Sequence, residues 1–299
     1  MAFALTFPGQ GSQSVGMGRA LYDAFPAAKA VFEEVDDALS EPLSTLVFEG
    51  PEDTLTLTAN AQPALMAVSL AAMRALEAEG FGWAEARLVA GHSLGEYSAL
   101  AAAGALGVAD AARLLRLRGE AMQAAVPAGE GAMAALLGLD LDAAVAVAAD
   151  AAEGEVCDVA NDNAPGQCVV SGTKAAVDRA VELARERGAR RPMLLPVSAP
   201  FHSALMAPAA EAMAKALETV TLSAPKVPLV ANVSVTSLSD PAAIKQSLVE
   251  QVTGRVRWRE TASGFAAAGI SIALEVGAGR VLTGLLKRID KSVEGVAIN

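Results

Sequence analysis

The chain has 299 residues, of which 53% are hydrophobic, 19% are charged and 4% are aromatic, and its formal net charge is −11. This composition excludes an intrinsically disordered protein, because such proteins are poor in apolar residues. The negative charge disfavours nucleic acid as a partner, because its phosphates would be repelled. Two cysteines are too few for a disulfide framework or a structural zinc site.

The N-terminal part of the sequence alternates strands with helices. The predicted elements are a strand at 3–7, helices over about 17–39 and 61–79, a strand at 87–90, and helices over about 96–103 and 108–125. No apolar segment reaches the roughly 20 residues that a membrane-spanning helix needs. The N-terminus predicts a strand rather than a signal peptide, so we expect a cytoplasmic protein with no membrane partner.

The pattern changes in the middle of the chain. The predicted elements there are a strand at 132–138, a helix at 141–149, strands at 156–160 and 167–171, a helix at 175–187 and a strand at 193–197. This order of strand, helix, two strands, helix and strand is that of a ferredoxin-like unit. We therefore assign 128–197 to a small inserted ferredoxin-like subdomain, and 1–127 with 198–299 to a large core.

The first pattern resumes after the insert. The predicted elements are a helix over about 204–218, a strand at 229–233, helices over about 242–251 and 260–268, a strand at 272–276 and a helix over 281–289. Strands that alternate with helices predict an α/β fold, in which a mostly parallel sheet is flanked by helices on both faces.

One motif predicts a nucleophile. Gly91-His92-Ser93-Leu94-Gly95 matches Gly-x-Ser-x-Gly and lies between a predicted strand and a predicted helix, which is the context of a nucleophile elbow. The two glycines permit a tight turn, and this turn lifts the Ser93 hydroxyl above the edge of the sheet. It also directs the positive end of the helix towards the reacting centre. The alternative is an ordinary turn.

A nucleophilic serine needs a base, and the sequence contains only two histidines. His92 is adjacent to Ser93, so we expect its side chain to point elsewhere and to support the turn. His202 lies in the loop 198–203, between a predicted strand and a predicted helix, where ligand-binding loops of α/β sheets are found. We predict that His202 is the base, although a polar surface histidine remains the alternative.

Other groups could complete such a site. The usual hydrolase arrangement takes one oxyanion donor from the residue after the nucleophile and one from another loop, here the backbone N–H groups of Leu94 and Gln10. The glycine-rich loop that contains Gln10 fits neither nucleotide-binding motif. Arg118 could bind a carboxylate through two parallel hydrogen bonds, but the pattern alone favours a surface arginine.

Five separated motifs occur together in this chain. They are Phe7-Pro8-Gly9-Gln10-Gly11-Ser12-Gln13, Gly91-His92-Ser93-Leu94-Gly95-Glu96-Tyr97, Arg118-Gly119-Glu120-Ala121-Met122-Gln123, Asn161-Asp162-Asn163-Ala164-Pro165-Gly166-Gln167 and Glu275-Val276-Gly277. With these motifs in this order, essentially the whole chain resembles the bacterial malonyl-CoA:acyl-carrier-protein transacylases of fatty-acid synthesis. It is also similar to the acyltransferase domains of polyketide synthases.

This resemblance implies a hydrolase-like core and a ping-pong reaction through a malonyl-serine intermediate. Malonyl-CoA would be the donor, the phosphopantetheine thiol of acyl carrier protein the acceptor, and no metal or other cofactor would be needed. Ser93 and His202 would form a catalytic dyad, and a backbone carbonyl near Gln251 would orient the imidazole. Gln10 and Leu94 would supply the oxyanion hole.

The resemblance also implies residues that bind the substrate. Arg118 would pair with the malonyl carboxylate. Phe201 matches the domains that select malonyl, because its bulky ring leaves less room for the branch of methylmalonyl. Gln251, His92 and Asn161 are further candidates for substrate binding.

Two other functions fit part of the pattern. A serine esterase or thioesterase would share the nucleophile, base and oxyanion hole, and it would need a triad acid, for which Asp158 and Asp162 are candidates. It would give no reason for Arg118. A non-enzymatic docking subunit would be expected to lack the nucleophile or the base, and both are present.

Overall fold

The computed structural model describes residues 2–197 and 199–299, which form two β-sheets and their surrounding helices. The elements of the N-terminal part are β1 (Phe3–Phe7), α1 (Arg19–Ala24), α2 (Pro26–Leu39), α3 (Leu43–Glu49), α4 (Glu52–Thr56), α5 (Thr58–Ala78), β2 (Ala86–Gly91), α6 (Gly95–Ala102) and α7 (Val108–Ala124). The elements of the middle part are β3 (Gly131–Leu137), α8 (Leu141–Ala152), β4 (Cys157–Ala164), β5 (Gln167–Thr173), α9 (Lys174–Glu186) and β6 (Arg191–Leu194). The elements of the C-terminal part are a short 3-10 helix (Ala204–Met206), α10 (Ala207–Thr219), β7 (Leu229–Val230), β8 (Ser237–Leu238), α11 (Pro241–Thr253), α12 (Trp258–Ser263), β9 (Ile272–Val276), α13 (Val281–Ile289) and β10 (Glu294–Ile298).

The larger sheet has the strand order β10-β9-β1-β2-β7-β8, and its neighbouring pairs are parallel except for β7 with β8. The central strand β1 is apolar except for Thr6 and is buried from Ala4 to Phe7. This pattern is typical of a parallel strand that is covered by helices on both faces. The predicted α/β fold, with its mostly parallel sheet flanked by helices, is confirmed.

The smaller sheet has the strand order β4-β5-β3-β6, and all of its neighbouring pairs are antiparallel. Helices α8 and α9 pack on it through a separate apolar cluster that includes Val147, Val170 and Val177. The chain order of its elements is the ferredoxin-like order that the sequence predicts. The exact limits of the subdomain, 128–197, stay a prediction, and residue 198, where the second core segment is predicted to begin, lies outside the described residues.

Several predicted elements differ in extent from the observed ones. The predicted helix at 17–39 is divided into α1 and α2, because Phe25 precedes Pro26 and adopts the extended backbone that this position favours. The predicted strand at 229–233 shortens to β7, and Asn232 instead binds the loop after β2. The helices α3 and α4 and the strands β8 and β10 were not predicted, because they are short or lie at an edge of the sheet.

The topology brings functional loops to one edge of the larger sheet. The loops that follow β1, β2 and β7 all leave from the carboxyl ends of neighbouring strands. Ligands of open α/β sheets bind at this edge. In the part of the chain that the structure describes, no helix combines the length and apolar character needed to cross a bilayer.

Candidate active site

Ser93 lies at the top of a tight turn between β2 and α6. Its backbone has a φ of 53°, in the left-handed region that a residue with a side chain rarely adopts. A methyl group on Gly91 would lie 1.9 Å from the carbonyl carbon of Gly95, and one on Gly95 would lie 2.3 Å from the carbonyl oxygen of Phe7. Neighbouring backbone therefore leaves no room for a side chain at either position, and this is why the motif has glycine at both.

The hydroxyl of Ser93 contacts the imidazole of His202. The Oγ–Nε2 distance is 2.8 Å. On the other side of the ring, Nδ1 lies 2.9 Å from the carbonyl oxygen of Gln251 and 3.1 Å from that of Gly254. Both carbonyls can only accept, so Nδ1 carries the proton and Nε2 accepts from the Ser93 hydroxyl.

His202 is buried, and its environment keeps the ring neutral. Burial, and to a smaller extent the positive charge of Arg118, lowers the pKa of His202 to about 3, although the two carbonyl acceptors oppose the shift. The ring is therefore neutral at neutral pH, and its Nε2 lone pair faces the proton of the Ser93 hydroxyl. The residue itself has a φ of 56°, so the turn that presents the imidazole is as unusual as the turn that presents the serine.

Arg118 places a buried positive charge beside the serine. Its Nη1 donates to Oε1 of Gln62 (2.8 Å), and its Nη2 donates to Oε1 of Gln251 (2.7 Å) and to Oγ of Ser93 (3.1 Å). The guanidinium also lies 5.8 Å from the centre of the Tyr97 ring. Burial lowers the pKa of Arg118, but an arginine stays charged in proteins. Its partners along these contacts are neutral, so the site retains a cation that can bind an anionic substrate group.

A cavity of about 470 Å³ opens beside these three side chains. It lies between the larger sheet and the subdomain, because its apolar wall combines Met122 of α7 with Met133 and Val169 of the small sheet. A larger cavity of about 750 Å³ lies against α9 and β6 on the subdomain, and its lining contains none of the predicted site residues. Of these two cavities, the predicted site residues therefore line the smaller one.

Most of the predicted site residues line this cavity. They are Gln10, His92, Ser93, Leu94, Arg118, Asn161, Phe201 and His202. Gln251 is different, because its side chain is completely buried and is absent from the lining. It contacts Arg118 and the backbone of Ser93 instead, so the geometry gives it a supporting position where direct substrate binding was predicted.

The side chain of His92 points away from Ser93, as the sequence led us to expect. Its Nε2 lies 2.8 Å from Oδ1 of Asn163, and its ring packs near that of Trp258. Burial lowers the pKa of His92. Asn163 belongs to β4, so this contact ties the turn to the subdomain.

Sequence reasoning missed three residues that support the site. Oδ1 of Asn232 accepts a hydrogen bond from the backbone N–H of Ser93 (2.8 Å), and its Nδ2 donates one to the carbonyl oxygen of Gly91 (2.7 Å). Glu96 and Gln62 bind Gln251 and Arg118, respectively. Glu96 lies in one of the five motifs, so the sequence could have indicated it. Asn232 and Gln62 lie in none of them.

The triad acid that an esterase would need is not found where it was predicted. Asp158 accepts the backbone N–H of Ala204, and Asp162 forms an ion pair of 2.7 Å with Arg259. Among the described residues, the partners of Nδ1 in His202 are backbone carbonyls and not carboxylates. The candidates Asp158 and Asp162 are therefore wrong as triad acids.

The described residues hold no group of three or more His, Cys, Asp or Glu side chains placed to bind a metal ion. Cys157 and Cys168 are buried and free. Burial raises the pKa of their thiols to about 11 and about 12, so both are poor nucleophiles at neutral pH.

Known proteins are similar to this chain over nearly its whole length. The model of the acyl transferase domain family matches residues 5–298. A malonyl CoA-acyl carrier protein transacylase of Bacillus subtilis is 47% identical over 297 residues, which cover 99% of this chain and 93% of the relative. The crystal structure of an acyl-carrier-protein-S-malonyltransferase from Bartonella henselae is 59% identical, with a TM-score of 0.98 over 100% of this chain and 95% of that one. A malonyl-transacylase solved in complex with its type II polyketide-synthase acyl-carrier protein is 44% identical, with a TM-score of 0.97 over 100% and 96% of the two chains. These matches confirm the resemblance that the five motifs predict.

Proposed function

Because the chain belongs to the acyl transferase domain family, we propose that it transfers a malonyl group from malonyl-CoA to acyl carrier protein. It is an acyltransferase, and its curated and structural relatives carry this activity in their names over nearly the full length of the chain. We further propose that the transfer needs no metal or other cofactor and takes place in the cytoplasm.

In the proposed first step, Ser93 attacks the thioester carbonyl of malonyl-CoA while Nε2 of His202 takes the hydroxyl proton. The contact between Ser93 Oγ and His202 Nε2, 2.8 Å in a buried site, is the observation that carries this proposal. The Oγ–carbon bond forms, the carbon–sulfur bond breaks, and the proton on His202 passes to the departing thiolate of coenzyme A. A malonyl-serine ester remains.

In the second step, the phosphopantetheine thiol of acyl carrier protein attacks this ester. His202 takes the thiol proton and returns it to Ser93, so the enzyme is regenerated. Both steps pass through a tetrahedral oxyanion, and we assign the backbone N–H groups of Gln10 and Leu94 as its donors. In the part of the chain that the structure describes, neither N–H donates to a protein acceptor, which leaves both available.

Arg118 accounts for the choice of a substrate with a free carboxylate. A malonyl group on Ser93 would reach Nη2, which lies 3.1 Å from the serine oxygen. A guanidinium binds a carboxylate strongly where water is excluded, so Arg118 would both select malonyl and fix its position. An esterase would have no use for this buried cation, and no observation favours that alternative.

Intact-mass spectrometry after brief mixing with malonyl-CoA tests the proposal. We expect a malonyl adduct that maps to Ser93, disappears in Ser93→Ala and transfers to added acyl carrier protein. Ser234→Ala, which changes an exposed serine outside the cavity, is the matched control and should keep the adduct. Free malonate that accumulates without an adduct or transfer would contradict the proposal and indicate a hydrolase.

A further inference from the structure

Glu96 is a completely buried carboxyl group beneath the serine turn. Its Oε1 accepts a hydrogen bond from the backbone N–H of Asn232 (2.5 Å), and its Oε2 accepts one from Nε2 of Gln251 (2.5 Å). Burying a carboxylate is costly unless it is paired and hydrogen-bonded. The proposed reaction does not use this carboxyl group directly, so its burial beneath the reacting atoms needs another explanation.

Both partners of Glu96 are residues that hold the reacting groups. Asn232 binds the turn on both sides of His92, through the N–H of Ser93 and the carbonyl of Gly91. Gln251 donates from Nε2 to the carbonyl of Ser93 (2.9 Å) as well as to Glu96. Glu96 is thus hydrogen-bonded directly to both Asn232 and Gln251, the two residues whose side chains bind the backbone of the serine turn.

The hydrogen bonds of Gln251 depend on Glu96 for their direction. Its Nε2 has two acceptors, Ser93 and Glu96, and its Oε1 accepts from Arg118. If the amide turned over, Oε1 would face two acceptor oxygens and the NH₂ group would face a guanidinium, which can only donate. Glu96, together with the carbonyl of Ser93, therefore selects the orientation in which the amide oxygen faces Arg118.

We propose that Glu96 is a positioning residue that sets the direction of the Arg118 guanidinium through Gln251 and the serine turn through Asn232. This inference rests on the proposed function, because it concerns the selection of a malonyl group. Burial raises the pKa of Glu96 to about 8, while its two hydrogen bonds and the charge of Arg118 oppose that shift. Both oxygens of Glu96 nevertheless face N–H donors, so the hydrogen-bond geometry is that of the carboxylate form, and Gln251 links this group to Arg118.

Glu96→Gln tests the proposal with almost no change of shape. The new NH₂ group must face one of two donors, either the N–H of Asn232 or Nε2 of Gln251, so one buried hydrogen bond is lost. We expect kcat/KM for malonyl-CoA to fall by about 10- to 100-fold and the preference for malonyl over acetyl to fall by about tenfold or more. The preference is the decisive readout, because a general loss of folded enzyme would lower both rates equally.

Glu275→Gln is the matched control. Glu275 is also a buried glutamate whose two oxygens each accept a backbone N–H, from Leu282 and Thr283, but it lines no part of the cavity. We expect it to lose thermal stability while the malonyl preference stays unchanged. If folded Glu96→Gln keeps the wild-type preference, the proposal is overturned.

If Glu96→Gln does not fold, Gln251→Met provides the same test. It keeps the backbone carbonyl that binds His202 and removes the amide between Glu96 and Arg118. The same loss of malonyl preference is expected, and an unchanged preference would again overturn the proposal. Failure of the proposed function is distinguishable, because the wild-type protein would then form no malonyl adduct at all.

Discussion

Replacing Arg118 with methionine should remove most malonyl transfer and little acetyl transfer. The guanidinium is buried, and its contacts place it 3.1 Å from the Ser93 hydroxyl. A carboxylate that enters this position therefore leaves its water behind, and without Arg118 it would be buried and unpaired. Breaking a buried ion pair in this way costs about 3–5 kcal/mol. At about 1.4 kcal/mol per factor of ten, kcat/KM for malonyl-CoA should fall by about 100-fold to a few thousandfold.

The assay compares the acylation rates of Arg118→Met with malonyl-CoA and acetyl-CoA. Acetyl carries no carboxylate, so its rate should change much less and the malonyl-to-acetyl ratio should collapse. Arg116→Met is the matched control, because Arg116 lies on the same helix, binds Asn60 and Glu41, and lines no part of the cavity. A folded Arg118→Met enzyme with the wild-type ratio would refute the assigned role of Arg118.

Three further predictions concern the turn, the specificity and the base. Gly95→Ala should leave little folded protein in a thermal melt, because its methyl group would lie 2.3 Å from the carbonyl oxygen of Phe7. In Gly284→Ala the methyl group would meet no described atom within 4 Å outside its own helix, so this variant should melt at or above the wild-type temperature. Equal melting temperatures would contradict this steric account. Phe201→Ser enlarges the cavity wall and should raise the methylmalonyl-to-malonyl ratio of acylation rates several-fold, and an unchanged ratio would show that the ring does not set specificity. The pKa of His202 is lowered to about 3, so its neutral form stabilises the fold above pH 6.5, and that contribution is lost as pH falls from 6.5 towards 3. Chemical denaturation of His202→Asn between pH 6 and 4 should therefore show a slope of unfolding free energy that is smaller than wild type by about 1.4 kcal/mol per pH unit, and identical slopes would contradict the burial of a neutral ring.

The sequence predicts the parts of the site whose constraints are local. Gly91 and Gly95 are four positions apart and meet in one turn, so their spacing alone indicates the elbow around Ser93. His202 followed from a short list of histidines and a loop between a strand and a helix. The fold class was predictable for a similar reason, because each strand and helix of the core carries its own hydrophobic period.

The support of the site was not predictable, because it depends on contacts between distant segments. Asn232 reaches the N–H of Ser93 across 139 positions, and Gln251 reaches the carbonyl of Ser93 across 158. No rule of sequence spacing predicts such a contact between an amide side chain and the backbone of a distant segment. Arg118 shows the same limit, since its helical pattern is equally compatible with a surface position. In the structure its guanidinium is buried against Gln62, Ser93 and Gln251, which are distant from it in the sequence.

The acceptors of His202 explain why a thiol would be preferred to water in the second step of the proposed reaction. A triad carboxylate stabilises the charged imidazolium with a negative charge, whereas the carbonyls of Gln251 and Gly254 offer only dipoles, and Arg118 opposes the charge. In the proposed reaction His202 is thereby a weak base. A thiol with a pKa near 8.5 loses its proton readily even to a weak base, whereas water has a pKa of about 15.7. The Ser93 hydroxyl is also a weak acid, but it is held 2.8 Å from Nε2 of His202, in place for the proton transfer of the first step. A dyad without a carboxylate therefore favours transfer of the malonyl group to a thiol over its loss to water, which is the selectivity that a transacylase requires and an esterase does not.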